Sequence, residues 1–316
     1  MKKYLYARIF QLFVVMLGAS LLTFSVTYLA PSDPAEMMFM SKDVIPTAEA
    51  LNTAREAMGL NKPFIMQYMD WLLGICKGDL GYSYTMQMPV ADMLGMRLVK
   101  TLELSLFAIA ILFALSIVLG VISAVKKNSF ADILINVFSA VSISIPSFWL
   151  GLIMMFVFVV KLHIFKITSS EGFSAMVLPA VTLAFPLVGR YTKQIRGAVL
   201  DEINSNYVVG AVARGVNRKR ILFFHILPNT LLSITTLFGM TVAALLGGTA
   251  IVENIFSWPG LGTMALDAIT YRDYTLLQAY VILMCFIYVG INFIVDVLTH
   301  IIDPRIEMFG KEVQSE

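Results

Sequence analysis

Five stretches of this chain run for more than twenty residues without a single Asp, Glu, Lys or Arg: Ile9 to Ser32, Leu104 to Val125, Ile133 to Val160, Ile226 to Val252 and Tyr274 to Val295. A helix needs about 20 apolar residues to cross roughly 30 Å of hydrocarbon. Inside that layer no water satisfies the backbone, so the chain must satisfy its own N–H and C=O groups. A sixth run, Gly172 to Gly189, is shorter and carries Pro179 and Pro186. A membrane helix absorbs such prolines against its neighbours, where an isolated soluble helix would break. The expected fold is therefore an all-α membrane protein with six transmembrane helices. The composition agrees: 58% of the 316 residues are hydrophobic, 14% are charged, and the mean hydropathy is +0.80.

Lys and Arg near span ends are retained on the cytoplasmic side, and short loops carry that signal. An N-inside arrangement places Lys2, Lys3, Arg8, Lys126, Lys127, Arg305, Lys311 and the seven basic residues between Arg190 and Arg220 inside, 14 of 23 in all. Both termini are then cytoplasmic. The first apolar run exceeds a secretory signal core and is read as a retained helix. The chain divides into residues 1–32, the start and first helix; 33–101, an extracytoplasmic region; and 102–316, a core of helices two to six with a cytoplasmic loop at 190–229. The basic residues face lipid headgroups at span ends, and nothing in the pattern calls for a nucleic-acid partner or a cofactor.

The outward region should be partly folded. Thr47 to Met58 has helical composition between Pro46 and Gly59, and a second helix is expected from Pro63 to Cys76. Ten of the 19 methionines lie in this region. Thioethers bind soft metals, but methionine more commonly packs adaptable surfaces, which is the reading adopted. Cys76 lies outside the spans and Cys285 inside one, so neither a disulfide framework nor a cysteine metal site is expected.

Three features mark a possible path or gate. Span three carries Ser142, Ser144, Pro146 and Ser147, a polar stripe broken by proline, which can line a pathway or hold helices together. Glu253 to Gly262, ENIFSWPGLG, should make an elbow after span five, with Glu253 and Trp258 at a gate or with Trp258 and Phe256 anchored among headgroups. Asp296 lies deep in the last span, where a charge must be paired, solvated or functional.

Several classes are excluded. No His/Glu motif or serine–base pair stands within the spans, so a membrane-embedded enzyme is not supported. No GxxxxGK[ST] loop is present, so the chain does not hydrolyse ATP itself. No repeated filter loop suggests a channel.

Arg190 to Asn229 is the one sizeable polar stretch between later spans, with seven basic residues against Asp201 and Glu202, a net charge of about +5. Its sequence NYVVGAVARGVNRKRILFFHILPN reads as a short helix, a tight turn at Gly215 and a second helix leading to Pro228. Two such helices would form a knob able to fill a groove in a soluble partner.

Here the chain resembles the permease subunits of ATP-binding-cassette importers. Their cytoplasmic loop carries an Ala, a Gly after it and a later Leu-Pro pair, places held by Ala211, Gly215, Leu227 and Pro228. The acidic residue that opens the family's motif is absent, Val209 or Gly210 standing near its place, as is typical of the dipeptide, oligopeptide and nickel branch. YLYARIFQLFVVMLGASLLTFSVTYLAPSDPA, GLNKPFIMQYMDWLLGICKGDLGYSY, ENIFSWPGLG and DPRI extend the resemblance to nearly the whole chain.

The resemblance implies a type I importer permease fold in a bacterial inner membrane, a second homologous permease, two ATPases and an extracytoplasmic substrate-binding protein. It implies ATPase coupling through a surface assigned to Tyr207, Val208, Ala211, Arg214 and Gly215. The short Lys161 to Ala175 loop is closest to nickel permeases, so nickel or a nickel chelate is the expected substrate, with dipeptide or oligopeptide import as the alternative. His163, His225 and His300 are scattered, and no His/Cys cluster shows direct nickel ligation.

Overall fold

A computed structural model of the protein describes residues 2–30, 33–40, 44–166, 172–230, 234, 239, 241–242, 245 and 249–302. Thirteen of the 27 residues of the expected span Ile226–Val252, and the DPRI segment with Arg305 and Lys311, lie outside the described residues. Four described helices are long and apolar enough to cross a membrane, and a bent helix pair makes a fifth. The chain clusters into two compact units, Met1–Thr101 with Pro259–Gly290, and Leu102–Trp258 with Ile291–Glu316.

In the first unit, α1 (Lys2–Tyr28) is followed by three short helices, α2 (Pro34–Met40), α3 (Ala48–Ala57) and α4 (Phe64–Cys76). The two helices expected in this region are present, and their caps are those the sequence offers. The Thr47 side chain accepts from the Ala50 N–H, and Gly59 adopts φ +70° just past the end of α3. Pro63 opens α4, where its missing N–H costs nothing. Aromatic packing fixes α4 on α1: Phe24 meets Phe64, Tyr68 and Trp71 at 5.3–5.5 Å between ring centroids, and the Ser20 and Tyr68 hydroxyls are 2.9 Å apart.

A two-residue hairpin, β1 (Tyr82–Ser83) with β2 (Met88–Pro89), leads into α5 (Val90–Val125). This helix begins before the expected span start at Leu104 because Val90, Met93 and Leu94 are buried against α12 (Leu261–Thr270) and the start of α13 (Tyr274–Ile302). Met86 and Met88 pack on the same core, as expected for methionine as filler. Ser83 donates to Asp273 at 2.5 Å, and the Leu261 N–H donates to Thr101 at 2.7 Å. An open cavity of about 760 Å³ in this unit is walled by Tyr28, Trp71, Tyr82, Tyr84 and Tyr274. Four of the charges around it are paired, Arg55 with Asp33 at 2.5 Å and Lys62 with Asp70 at 2.6 Å, and Glu56 lines it as well.

In the second unit the expected third span is two helices, α6 (Phe130–Ser144) and α7 (Ser147–Met154, continued by the π-helical turn Met155–Lys161), bent by 100°. The break falls at Pro146, whose ring disfavours an α conformation at Ile145, which is extended at φ −86°, ψ 121°. Pro179 and Pro186, by contrast, stand within one continuous helix, α8 (Phe173–Ile203). That helix runs past the expected limit at Gly189 and carries Arg190, Lys193 and Arg196.

Helix α8 packs most closely on α6. A Cβ added to Gly189 would stand 2.8 Å from the Ser139 carbonyl oxygen and from the Ser142 side chain, so only glycine permits this approach. The Ser142 hydroxyl donates to the Phe185 carbonyl across the same seam. Gly197 on the same helix has open space around its Cβ position. Gly189→Ala is therefore expected to destabilise by about 1–3 kcal/mol through overpacking. Gly197→Ala should be neutral or stabilising by up to about 1 kcal/mol. Thermal unfolding of the two purified variants in detergent checks the contrast.

Candidate functional site

Helix α8 ends at Ile203, and the chain turns through Asn204 and Ser205 into α9 (Asn206–Ala213). Two ties hold this turn. The Ser205 hydroxyl donates to the Glu202 carbonyl at 2.7 Å, and the Tyr207 phenol donates to the Glu202 carboxylate. Burial, and then the adjoining Glu202 carboxylate, push the Tyr207 phenol above the ordinary tyrosine range. The hydroxyl thus keeps the proton that it donates. Asn229 in turn donates to the Tyr207 oxygen at 3.3 Å.

Helix α9 is amphipathic on a helical period. Val208 and Ala211, three apart, are 7% and 5% exposed and join a core with Ile195, Val199, Ile221 and Ile226. Burying the Val208 side chain contributes about 1.5–3 kcal/mol to holding the helix down. Val209 and Val212 point the other way, 61% and 47% exposed.

The helix stops in a Schellman motif: the Gly215 N–H bonds the Val212 carbonyl at 2.9 Å and the Val216 N–H bonds the Ala211 carbonyl at 3.1 Å. Gly215 supplies the left-handed residue at φ +77°, and Val216 packs back on the core. Asn217 caps α10 (Arg218–Ile221), its side chain accepting from the Lys219 N–H at 2.9 Å. A π-helical turn, Leu222–Ile226, then precedes Pro228, which lacks the N–H that a regular α turn would need. The expected knob of two helices with a turn at Gly215 is thus present.

The residues expected at the docking surface fall on two sides of α9. Val208 and Ala211 are buried and seat the helix on its own core. Tyr207, Arg214 and Gly215 remain open, and the apolar part of the exposed face is Val209 and Val212. A helical period over Tyr207 to Arg214 distinguishes the two faces but does not say which one the protein's own core takes.

The path and gate residues fall in different environments. Ser144 and Pro146 are exposed at the elbow between α6 and α7, the Ser144 hydroxyl bonding the Ala140 carbonyl at 2.8 Å. Glu253, on α11 (Ala250–Ile255), is fully buried and accepts from the Thr249 hydroxyl at 2.9 Å. Trp258 is 3% exposed, packed with Leu104, Ala180, Leu183 and Val252, so it is no headgroup anchor. The reason is local: Ser257 at φ +51° turns the chain back, and the Trp258 N–H bonds the Glu253 carbonyl at 2.8 Å. The Asp296 side chain lies outside the described residues. Both cysteines are free thiols. Among the described residues no group of three His, Cys, Asp or Glu side chains is placed to hold a metal ion.

A solved structure, the inward-facing MetNI methionine ABC transporter, shares the fold at a TM-score of 0.53 and 19% identity, over 66% of this chain and 96% of its own. The sequence matches the profile for the binding-protein-dependent transport system inner membrane component over residues 116–308, and its N-terminal companion over 1–105. The chain belongs to that family, and is a membrane permease subunit rather than an enzyme.

Its relatives include the metal-staphylopine import permease CntB of Staphylococcus aureus, 31% identical over 97% of this chain and 98% of that protein. They include the oligopeptide transport permease AppB of Bacillus subtilis, 35% identical over 97% and 100%. The nickel import permease NikB of Staphylococcus aureus is 32% identical over 94% and 90%.

Gly215 offers a direct test of the knob's geometry. The position of its Cβ is empty, so a substitution there is penalised by backbone conformation alone. Gly215→Val should destabilise the knob by about 1–2 kcal/mol, whereas Gly215→Asn, which tolerates the left-handed region, should cost much less. Limited proteolysis of the 205–222 segment in the two variants reads the difference.

Proposed function

We propose that this chain is one of two homologous permeases in an ATP-driven importer that also holds two ATPase subunits and an extracytoplasmic binding protein. The observation that carries the reading is the knob: its inner face is fixed to the second unit, and its outer face presents Val209, Val212, Tyr207 and Arg214. An exposed apolar pair flanked by a cation and a phenol fits a groove on a soluble partner. With both termini and this loop cytoplasmic, ATP-driven closure of the ATPases pushes the knobs. The permease pair then alternates between outward-open and inward-open states.

Nickel, carried as a chelate, is the proposed cargo, and a dipeptide or oligopeptide is the alternative. Relatives named for metal-staphylopine and nickel import support the first, and the oligopeptide relative supports the second. The aromatic cavity, lined by charges of both signs, suits a small zwitterionic solute better than a bare ion. A metal already wrapped by a chelator asks for no ligand cluster from the permease.

The test is uptake into proteoliposomes holding the assembled importer, with radioactive nickel, nickel plus a small amino-acid chelator, and labelled dialanine as probes. ATP-dependent accumulation of chelated nickel, abolished by Val209→Asp with loss of ATPase co-purification, is the expected result. Accumulation of dialanine alone establishes the peptide alternative. Full uptake by Val209→Asp removes the knob from the docking surface.

A further inference from the structure

Beneath the knob, Asp132 sits at the start of α6 with its side chain only 4% exposed, and its carboxylate collects bonds from four separate places. Arg196 of α8 donates from Nε to Oδ1 at 2.8 Å and from Nη2 to Oδ2 at 2.9 Å, a two-pronged pair. The Ser123 hydroxyl near the end of α5 donates to Oδ1 at 2.5 Å. The Asn128 backbone N–H, in the turn between α5 and α6, donates to Oδ2 at 2.9 Å, and Asn136 Nδ2, one turn along α6, reaches Oδ1 at 2.7 Å. Asn128 holds φ +62° to aim its N–H this way.

A buried ion pair needs further hydrogen bonds to satisfy the carboxylate's remaining lone pairs. This one gathers the end of α5, the following turn, the start of α6 and the middle of α8 onto a single carboxylate. Arg196 lies seven residues before the end of α8, roughly 10 Å along the axis from the knob's base. Between them the chain is stiff: Val199 is buried under the knob, and Glu202 is tied to both Ser205 and Tyr207. On the far side, α6 runs directly to the 100° elbow at Pro146.

We infer that the Arg196–Asp132 pair is the positioning contact that passes knob displacement from α8 to the α5–α6 turn, and so to the elbow helix. The inference rests on the importer reading above. Arg196 and Asp132 touch neither cargo nor ATPase in this account; they act by making α8 and α6 move as one body. Without the pair, the ATPases still bind and hydrolyse ATP, but their motion is spent between the helices.

The assembled importer, reconstituted with its ATPases and binding protein, is supplied with chelated radioactive nickel or labelled dialanine, whichever the wild-type complex accumulates. The readout is solute imported per ATP hydrolysed. Arg196→Gln and Asp132→Asn are expected to lower this ratio by about two- to thirtyfold while the ATPases still co-purify. Arg196→Lys, which keeps the charge and loses the fork, should fall between. A wild-type ratio in Arg196→Gln overturns the inference, as does a parallel fall of uptake and hydrolysis at constant ratio. Should Arg196→Gln fail to assemble, a wild-type ratio in Arg196→Lys overturns it equally. A wild-type complex that hydrolyses ATP without importing either solute overturns the importer reading, and this inference with it.

Discussion

The second unit depends on the packing of α8. Of the long apolar helices, α8 is the most covered by its own chain: 44% of its apolar window is buried, against 17% for α1. Helices have little hydrophobic reason to associate in lipid, so close packing and interhelical hydrogen bonds must hold them. Gly189 allows α6 to approach within backbone contact, and the Ser142 hydroxyl reaches across to the Phe185 carbonyl. At the other end of α8, another of its faces carries Ile195 and Val199, on which the knob is seated. One helix thus serves as the wall of the bundle and the mount of its projecting element.

The irregular backbone is confined to places where it bends the chain. Pro146 converts a single expected span into two helices at a sharp angle, and the serines around it satisfy carbonyls of their own or a neighbouring helix. Pro228 is approached through a widened turn, and Ser257 reverses the chain so that Trp258 enters the core. Where proline does not bend, in α8, the helix is continuous through two of them. The difference lies in surroundings: Pro179 is buried in the α8 packing, while Pro146 is exposed.

Much of this was legible from residues alone. Long uncharged runs mark the spans, since hydrocarbon permits little else. Pro46, Thr47 and Gly59 bracket α3 as start and stop signals, and Pro63 opens α4 for the same reason. The knob's two helices and its Gly215 turn follow from local chemistry that survives any tertiary context. What could not be read is long-range. Nothing near Asp132 announces Arg196, sixty-four residues on, beyond the general cost of a charge near a span. The inward choice of Val208 and Ala211 over Val209 and Val212 is decided by Ile195 and Ile221, which no local period reveals. The clustering of Pro259–Gly290 with the first hundred residues likewise comes from the Leu261–Thr101 and Asp273–Ser83 bonds between distant segments.

In the proposed importer these features act as a lever: a knob capped by Gly215, seated by Val208 and Ala211, tied by Tyr207 to Glu202, and continuous with α8. Its use for transport requires that the knob not bend on its mount when force is applied. Pulsed electron paramagnetic resonance measures this most directly, with spin labels on Val212→Cys at the knob's outer face and Lys193→Cys on the exposed side of α8. The assembled importer is compared without nucleotide and with ATP trapped. A single narrow distance distribution, unchanged between the two states, is the predicted result. A shift of several ångströms, or a broad distribution in either state, would contradict a rigid lever.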